Sequence, residues 1–306
     1  MNGHSDILII GGGIAGMTAA LYAARANLSV RIVEKEVCGG LVNWTHTVEN
    51  VPSYKSIHGM DLMTACREHV ESLGVAIEEV NEVEEVRLDG QPKEIRTSEG
   101  DSFTADVVII AIKPYQIESV IKPIADEFAK NGRFVVSIAA GWDLAKYQKL
   151  FGDLAQSIHI QCTIPNTPMA VGKGVLVTET DNTLTDMQTE VFESLFGPIS
   201  LIERVDTAHM TIAMVVAGCA PAFTDMYIEA LGDAGVQYGL QRATAYRLAA
   251  KMVEGVGALY MATGTHPGAM KDAVCSPGGT TIRGVAKLEK DGFRGAVIDA
   301  VDAIVG

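Results

Sequence analysis

The chain has 306 residues, of which 48% are hydrophobic, and a formal net charge of −14. This length predicts about two domains with a sizeable core, and the apolar content excludes a disordered protein. The acidic balance argues against a nucleic-acid partner, whose phosphates need Lys and Arg, and against an anionic membrane surface.

The cysteine pattern and the N-terminus indicate the compartment. The five cysteines include no C-x-x-C pair: Cys38, Cys66, Cys162, Cys219 and Cys275. This scatter is typical of reduced thiols and predicts neither a disulfide framework nor a metal site. No basic segment of a secretory signal precedes the first apolar run, and glycines interrupt residues 7–24. We expect a soluble, cytoplasmic protein without a membrane span.

A predicted strand, a glycine turn and a helix open the chain. Residues 6–10 form a β-branched run, and a helix-forming sequence follows the turn. The turn has the spacing G-x-G-x-x-G, whose glycines let the backbone approach a pyrophosphate at a helix N-terminus. The candidate cofactor-binding residues here are Gly11, Gly13, Ile14, Ala15 and Gly16.

An acidic residue ends the second predicted strand. Residues 29–33 form the strand, and Glu34 follows them at the spacing of a carboxylate that binds a ribose 2′-hydroxyl. Because a carboxylate repels a 2′-phosphate, Glu34 favours NAD(H) or FAD over NADP(H). Strand, helix and acid together predict a dinucleotide site, with a purely structural glycine turn as the alternative.

The sequence beyond Glu34 contains Gly39-Gly40-Leu41, a V-E-N segment that ends at Asn50, and three short alternating segments within residues 75–110. These features resemble the flavin domain of low-molecular-weight thioredoxin reductases, over about the first 110 residues. The resemblance implies a β-meander and a place for Gly39, Gly40 and Asn50 along FAD. The alternative is a loop that packs on the sheet.

Two departures separate this part from a working flavoenzyme. The redox C-x-x-C of that family is absent, which excludes disulfide reductase chemistry. The later Gly-Asp segment that completes the flavin site has no counterpart, because Gly152-Asp153 and Gly232-Asp233 stand in other contexts. The sequence of about the first 110 residues therefore predicts only half of a flavin site.

A second series of motifs begins at Ala111-Ile112-Lys113-Pro114 and continues through a buried-strand pattern at residues 135–141 to Pro165-Asn166-Thr167-Pro168. In this order the motifs resemble pyrroline-5-carboxylate reductase, the last enzyme of proline synthesis. The resemblance implies that both proline-containing loops line the nicotinamide end of a cofactor. The candidate cofactor-binding residues are Ala111, Lys113, Pro114 and Asn166, and the alternative for the prolines is a plain turn.

The last hundred residues predict helices. Residues 210–216 and 223–231 form a very apolar helix that we expect to break around residues 218–221. Because it is apolar on all sides, we expect it to be buried between subunits, as in the interlocked dimerisation domain of the resembled family. Ala217 and Ala220 depart from the Ser and Gly usual there. We therefore expect a homodimer or larger homo-oligomer.

A loop in residues 271–282 combines a proline, two glycines and two threonines ahead of a helix predicted from Ile282. It presents backbone N–H groups and hydroxyls at a helix N-terminus, a receptor for a carboxylate. The resemblance implies a cyclic imino acid as substrate, with Thr281 and Lys113 as the catalytic candidates. The substrate-binding candidates are Ser276, Gly278, Gly279, Thr280 and Thr281. The alternative is an ordinary threonine N-cap.

These features predict an α/β fold: a Rossmann-like, doubly wound, mainly parallel sheet with a β-meander insertion in residues 1–205, then an all-α dimerisation and substrate-binding domain in residues 206–306. The resemblances meet at the seam, residues 105–112, across which we expect one continuous sheet. The predicted activity is hydride transfer from NAD(P)H, with NADH favoured, to a ring imine, giving L-proline. The alternative is an inactive hybrid that binds FAD or another adenine dinucleotide.

Overall fold

The first part of the chain forms a six-stranded sheet and two helices. In a computed structural model, which describes residues 2–48, 56–88, 92–112, 114–130 and 134–306, the chain begins with β1, α1 and β2. The bounds are β1 (Asn2–Ile10), α1 (Ile14–Arg25), β2 (Val30–Val33), α2 (Gly59–Ser72), β3 (Ala76–Glu78), β4 (Val83–Arg87), β5 (Lys93–Thr97) and β6 (Ser102–Ile110).

These strands are ordered β3-β2-β1-β6-β5-β4. The strands β3, β2, β1 and β6 run parallel, because helices cross between them, while β4, β5 and β6 form an antiparallel meander. Strand β6 belongs to both parts, since it pairs with β1 on one edge and with β5 on the other. The predicted Rossmann-like sheet with a meander insertion is confirmed.

The chain after β6 forms a second group of strands. Short helices α3 (Ile117–Ile121) and α4 (Ala125–Phe128) lead to β7 (Phe134–Ser137), α5 (Leu144–Phe151) and β8 (His159–Pro165). Strand β7 pairs in parallel with β8, and within the described ranges it pairs with no other strand.

The expectation of one continuous sheet across the seam is therefore wrong. The meander strand β5 pairs with β6 from residue 102 to residue 105, on the edge that faces away from β1. That edge is the one that β7 would need in a continuous sheet. The meander strand β5 occupies part of that edge, and β7 pairs with β8 in a second sheet.

The chain forms two compact units: unit 1 contains residues 1–162 and 182–189, and unit 2 contains residues 163–181 and 190–306. In unit 1, a single hydrophobic core joins both sides of the seam. Leu8 and Phe103, from the first part, pack in one cluster with Tyr147 and Ile160, from the second. The first hundred residues are thus not a separately folded body, because shared apolar burial couples them to residues beyond the seam.

Unit 2 begins at the end of β8, which pairs antiparallel with β9 (Gly174–Glu179), and β9 pairs in parallel with β10 (Ser200–Val205). Helix α6 (Asp186–Phe196) connects β9 to β10. The later helices are α7 (Met210–Met214), α8 (Ala220–Gln237), α9 (Arg242–Thr263), α10 (Pro267–Ala273), α11 (Thr280–Lys290) and α12 (Phe293–Val305). The predicted helical C-terminal region is confirmed.

The predicted break in the apolar helix is present as a π-helical turn. Val215–Cys219 is π-helical, and Pro221 stands in the first turn of α8 directly after it. Proline lacks an N–H and its ring crowds the carbonyl four residues earlier, so an uninterrupted α-helical ladder cannot pass this point.

Candidate functional site

The glycine turn is tightly packed in unit 1. Gly11 has φ +110°, and a Cβ atom on it would lie 2.6 Å from the carbonyl oxygen of Ala111. A Cβ atom on Gly16 would lie 1.9 Å from the carbonyl oxygen of Gly11. Glycine is therefore required at both positions. The Ala111 N–H donates to the Ile10 carbonyl oxygen at 2.9 Å, so a residue at the seam completes this turn.

The open side of the turn is the N-terminus of α1. Gly13 is its N-cap, with no side-chain cap, and of the described residues none has a heavy atom within 4 Å of a Cβ built on Gly13. Ile14 and Ala15 are exposed in the first helical turn. An uncapped helix N-terminus with space in front of it has the geometry that binds a pyrophosphate.

Glu34 lies beside this turn. Its Oε2 accepts a hydrogen bond of 2.6 Å from the Gly12 N–H, and its Oε1 accepts one of 3.0 Å from the Glu36 N–H. Gly12, which was not selected from the sequence, is thus the residue that orients the acid. Two backbone donors fix the carboxylate at the end of β2, as the spacing from the glycines predicts.

Residues 34–39, which we call the acid loop, also contact the turn at their far end. The Gly39 N–H donates to the Gly12 carbonyl at 2.9 Å, and Gly39 forms an isolated bridge with Gly13. A Cβ atom on Gly40 would lie 3.7 Å from Gly13. The structure therefore brings Gly40 to the turn. Asn50, the other residue assigned to FAD, lies outside the described residues.

Two residues outside the acid loop, Glu79 and Arg67, support it and had no sequence signal. The Glu79 carboxylate accepts from the Cys38 N–H at 2.7 Å and from Arg67 Nη1 at 2.6 Å. Burial raises the pKa of the Cys38 thiol to about 12, with the nearby acids adding to the effect. Cys38 is thus a neutral, packed side chain.

In the first proline-containing loop, the carbonyl oxygen of Pro114 accepts a hydrogen bond of 3.2 Å from the Trp142 indole. Trp142 contacts the Tyr147 ring at a centroid distance of 4.9 Å, and the Tyr147 hydroxyl is 2.8 Å from the Ser137 hydroxyl. These contacts fix the backbone at Pro114. Lys113 lies outside the described residues.

Asn166 belongs to unit 2, where both the oxygen and the nitrogen of its side-chain amide form hydrogen bonds. Its Oδ1 accepts from the Val175 N–H at 2.8 Å, and its Nδ2 donates to the Ala217 carbonyl at 2.9 Å. The amide thereby connects the loop after β8 to β9 and to the π-helical turn.

The predicted substrate loop ends at helix α11. Gly278 has φ +68°, and the Gly279 N–H donates to the Ser276 carbonyl at 3.0 Å, which makes a tight turn. The helix begins at Thr280, two residues earlier than predicted, so Thr280 and Thr281 are exposed in its first turn. The N-cap is Gly279 and carries no side-chain cap, which contradicts the alternative of a threonine N-cap.

No metal centre is built by the described part of the chain, which places no three His, Cys, Asp or Glu side chains as a ligand group. All five cysteines are free thiols. Among the residues described, one helical stretch, Thr207–Gln237, is long and apolar enough to cross a membrane by length and composition, a test that helices of soluble proteins also pass.

Two family models match this chain. Residues 207–306 match the pyrroline-5-carboxylate reductase dimerisation family, and residues 5–137 match the pyridine nucleotide-disulphide oxidoreductase family. Both resemblances that the motifs predicted are therefore confirmed.

Curated relatives and solved structures agree with the first of these families. The pyrroline-5-carboxylate reductase of Treponema pallidum is 46% identical over 197 residues, 64% of this chain and 74% of the relative. The Escherichia coli protein of the same name is 38% identical over 64% of this chain and 72% of its own length. Plasmodium falciparum pyrroline carboxylate reductase, solved with NADP bound, has a similar fold, with a TM-score of 0.64 at 22% identity over 99% of this chain and 96% of that one.

Proposed function

Because this chain belongs to the pyrroline-5-carboxylate reductase family, we propose that it reduces the ring imine of 1-pyrroline-5-carboxylate to L-proline. The identity shared with curated reductases over most of their length carries this proposal. A bound NAD(P)H supplies the hydride to the imine carbon, and the ring nitrogen gains a proton. The substrate is a small cyclic imino acid, and no nucleic acid takes part.

The glycine turn fits the pyrophosphate of a dinucleotide. The turn combines two positions at which only glycine fits, an uncapped helix N-terminus and open space in front of Gly13. Backbone N–H groups and the positive end of the helix dipole stabilise a doubly charged group there. In this proposal Gly11, Gly13, Ile14, Ala15 and Gly16 hold the pyrophosphate, with Ala111, Lys113 and Pro114 toward the nicotinamide. Asn166 is the cofactor-binding candidate of unit 2.

The same proposal makes NADH the preferred cofactor. Glu34 is already oriented by two backbone N–H groups, so its remaining lone pairs can accept from the hydroxyls of an adenosine ribose. A 2′-phosphate at that place would meet a fixed like charge. NADPH is therefore bound more weakly than NADH.

The loop before α11 is proposed to bind the substrate carboxylate. Backbone N–H groups at Gly278 and Thr280 lie at a helix N-terminus, beside Gly279, whose own N–H donates to the Ser276 carbonyl. Ser276 and Thr281 add hydroxyls. In this role Thr281 also donates to the substrate near the imine, and Lys113 is the second catalytic candidate. Because neither group is an obvious buried acid, correct positioning contributes most of the rate.

We further propose a homodimer or larger homo-oligomer, built by the helices of residues 206–306, in the cytoplasm. Large apolar side chains on these helices are exposed in the single chain: Val216, Met226, Leu259, Met261 and Ile298. An exposed apolar surface of this kind is typical of a subunit interface. In this proposal Thr207–Gln237 is buried between subunits rather than in a lipid bilayer, and residues 1–205 bind the dinucleotide.

The test of this function is the oxidation of NADH by the purified protein. We expect oxidation only when 1-pyrroline-5-carboxylate is added, with proline formed in equal amount, and NADPH used less efficiently. Light scattering should report at least two subunits. Protein that is correctly folded and oligomeric but produces no proline at any cofactor concentration contradicts the proposal.

FAD is the second candidate ligand, because residues 5–137 match a flavoprotein-containing family and Gly39 and Gly40 lie at the turn. Purified protein that is yellow and releases flavin on denaturation, while failing to reduce the imine, favours this inactive hybrid. Colourless protein with turnover favours the reductase.

A further inference from the structure

The acid loop is held between two parts of unit 1. On one side Glu34 and Gly39 both bond to Gly12, in the glycine turn. On the other side the Val80 N–H donates to the Glu36 carbonyl at 3.1 Å. The position of the Glu34 carboxylate therefore depends on the segment after β3 as well as on the glycine turn.

The segment after β3 is shaped for this contact. Val80 has φ +55°, a left-handed conformation that β-branched residues rarely adopt, and the residue is 67% exposed. The conformation therefore leaves most of Val80 in contact with solvent. It turns the backbone so that the Val80 N–H and the Glu79 carboxylate both reach the acid loop.

Glu79 carries the firmest of these contacts. One carboxylate oxygen accepts from the Cys38 N–H and the other from Arg67, whose own side chain extends from α2. The Glu79 side chain is 19% exposed, so this ion pair is only partly screened by solvent. A charge-assisted hydrogen bond to a backbone N–H fixes the loop more firmly than a neutral one.

The buried Cys38 side chain packs against Gly12 and so connects Glu79 to the glycine turn. Cys38 is 6% exposed, and a Cβ atom on Gly12 would lie 2.3 Å from its sulfur and 3.1 Å from Cβ of Glu34. The Cys38 side chain therefore touches the backbone whose N–H orients the Glu34 carboxylate. A shift of Cys38 moves Gly12, and with it the acid.

We propose that Arg67 and Glu79 are a positioning pair that sets the preference for NADH by fixing the acid loop, and with it Glu34, against the glycine turn. Neither residue touches the dinucleotide. The inference rests on the proposed role of Glu34 at the ribose. It predicts that breaking the pair changes the discrimination between two cofactors that differ by one phosphate, whereas a purely structural pair would weaken both alike.

The experiment measures Kd for NADH and NADPH by cofactor fluorescence, in the full-length protein and without turnover. Glu79→Gln and Arg67→Met should each reduce the ratio of the two Kd values roughly tenfold, which corresponds to about 1.4 kcal/mol. Arg67→Lys keeps the charge and should retain most of the preference. Thermal unfolding confirms that each variant is folded; if Glu79→Gln is not, Glu79→Asp takes its place.

Glu71→Gln is the matched control. Glu71 is the other partner of Arg67, at 3.0 Å, with a side chain that is 43% exposed. Its loss leaves the contact between Arg67 and Glu79 in place and should leave the Kd ratio within about twofold of the parent. A ratio that is unchanged in folded Glu79→Gln and Arg67→Met overturns the positioning role.

Glu34→Gln separates this inference from the proposed function. If Glu34 lies at the ribose, Glu34→Gln alone abolishes the preference, and Glu79→Gln adds nothing in that background. If Glu34→Gln keeps the preference, the ribose assignment fails, and the positioning pair fails with it. If Glu34→Gln abolishes the preference but Glu79→Gln does not alter it, the pair alone is refuted.

Discussion

Asn166 donates a hydrogen bond of 2.9 Å from its side-chain amide to the carbonyl oxygen of Ala217. Pro221, four residues after Ala217, has no N–H with which to satisfy that carbonyl as an α-helix would. The amide of Asn166 replaces the missing donor, and its oxygen accepts from Val175. The loop after β8 and the π-helical turn are thus held together by one side chain.

Asn166→Ala should destabilise the protein by about 1–2 kcal/mol, because it leaves the Val175 N–H and the Ala217 carbonyl without this partner. Asn166→Asp keeps an acceptor for Val175 but sets a carboxylate against the carbonyl of Ala217, so we expect a loss at least as large. Urea unfolding of the three proteins measures the difference. A free energy of unfolding unchanged in both variants would show that the amide does not stabilise the turn.

Gly13 and Gly16 provide a test of the dinucleotide turn within one motif. Gly13→Ala adds a methyl group where the protein leaves open space, so the variant should fold with nearly unchanged stability but bind NADH at least tenfold more weakly. Gly16→Ala forces a methyl group against the Gly11 carbonyl and should lose more than about 3 kcal/mol of stability.

Thermal unfolding together with NADH titration distinguishes the two effects. Normal NADH affinity in folded Gly13→Ala would mean that the pyrophosphate does not lie in front of α1. Normal stability in Gly16→Ala would mean that the turn is more tolerant than its geometry indicates.

Sequence alone predicted the elements whose signals are local. The β-branched runs, the glycine spacing and the position of Glu34 all depend on short-range patterns, and the structure places these residues together. The division of the sheet is not local, because it depends on which strands pair with one another across long separations in the sequence. The sequence patterns of β6 and β7 do not predict which strand each of them pairs with.

The contacts that support the acid loop likewise could not be predicted from the sequence. Glu79 is separated from Cys38 by 41 positions, and it stands among several acidic residues of the same region. Only the left-handed turn at Val80 selects Glu79 for this contact, and a valine gives no sequence signal for such a conformation. The start of α11 was missed for a simpler reason, since Thr280 and Thr281 are weak helix formers.

Thr281→Ala tests the substrate loop. Loss of a hydroxyl that bonds to the substrate should lower kcat/KM for the imine roughly tenfold to a hundredfold and leave the Kd of NADH unchanged. Thr280→Ala is the matched control, because Thr280 is one residue earlier in the same exposed turn and is assigned a main-chain contact. Equal kinetics in the two variants would remove Thr281 from the catalytic site.

Stability at alkaline pH should report the burial of Tyr147. Burial raises the pKa of its phenol to about 12, against the opposing effect of the hydrogen bond with Ser137. In the unfolded chain the group ionises at its ordinary pKa of about 10. Between these values the unfolded state releases a proton that the native state retains, so the free energy of unfolding falls as the pH rises.

Tyr147→Phe keeps the ring contacts with Trp142 and Phe151 but has no proton to release. Its stability should therefore fall less steeply than that of the parent from about pH 10 upward, by a difference on the order of 1 kcal/mol near pH 12. The buried Cys38 thiol adds the same slope to both proteins, so the comparison isolates the phenol. Urea unfolding at closely spaced pH values measures both slopes, and parallel curves would show that the Tyr147 phenol ionises as easily in the native state as in the unfolded chain.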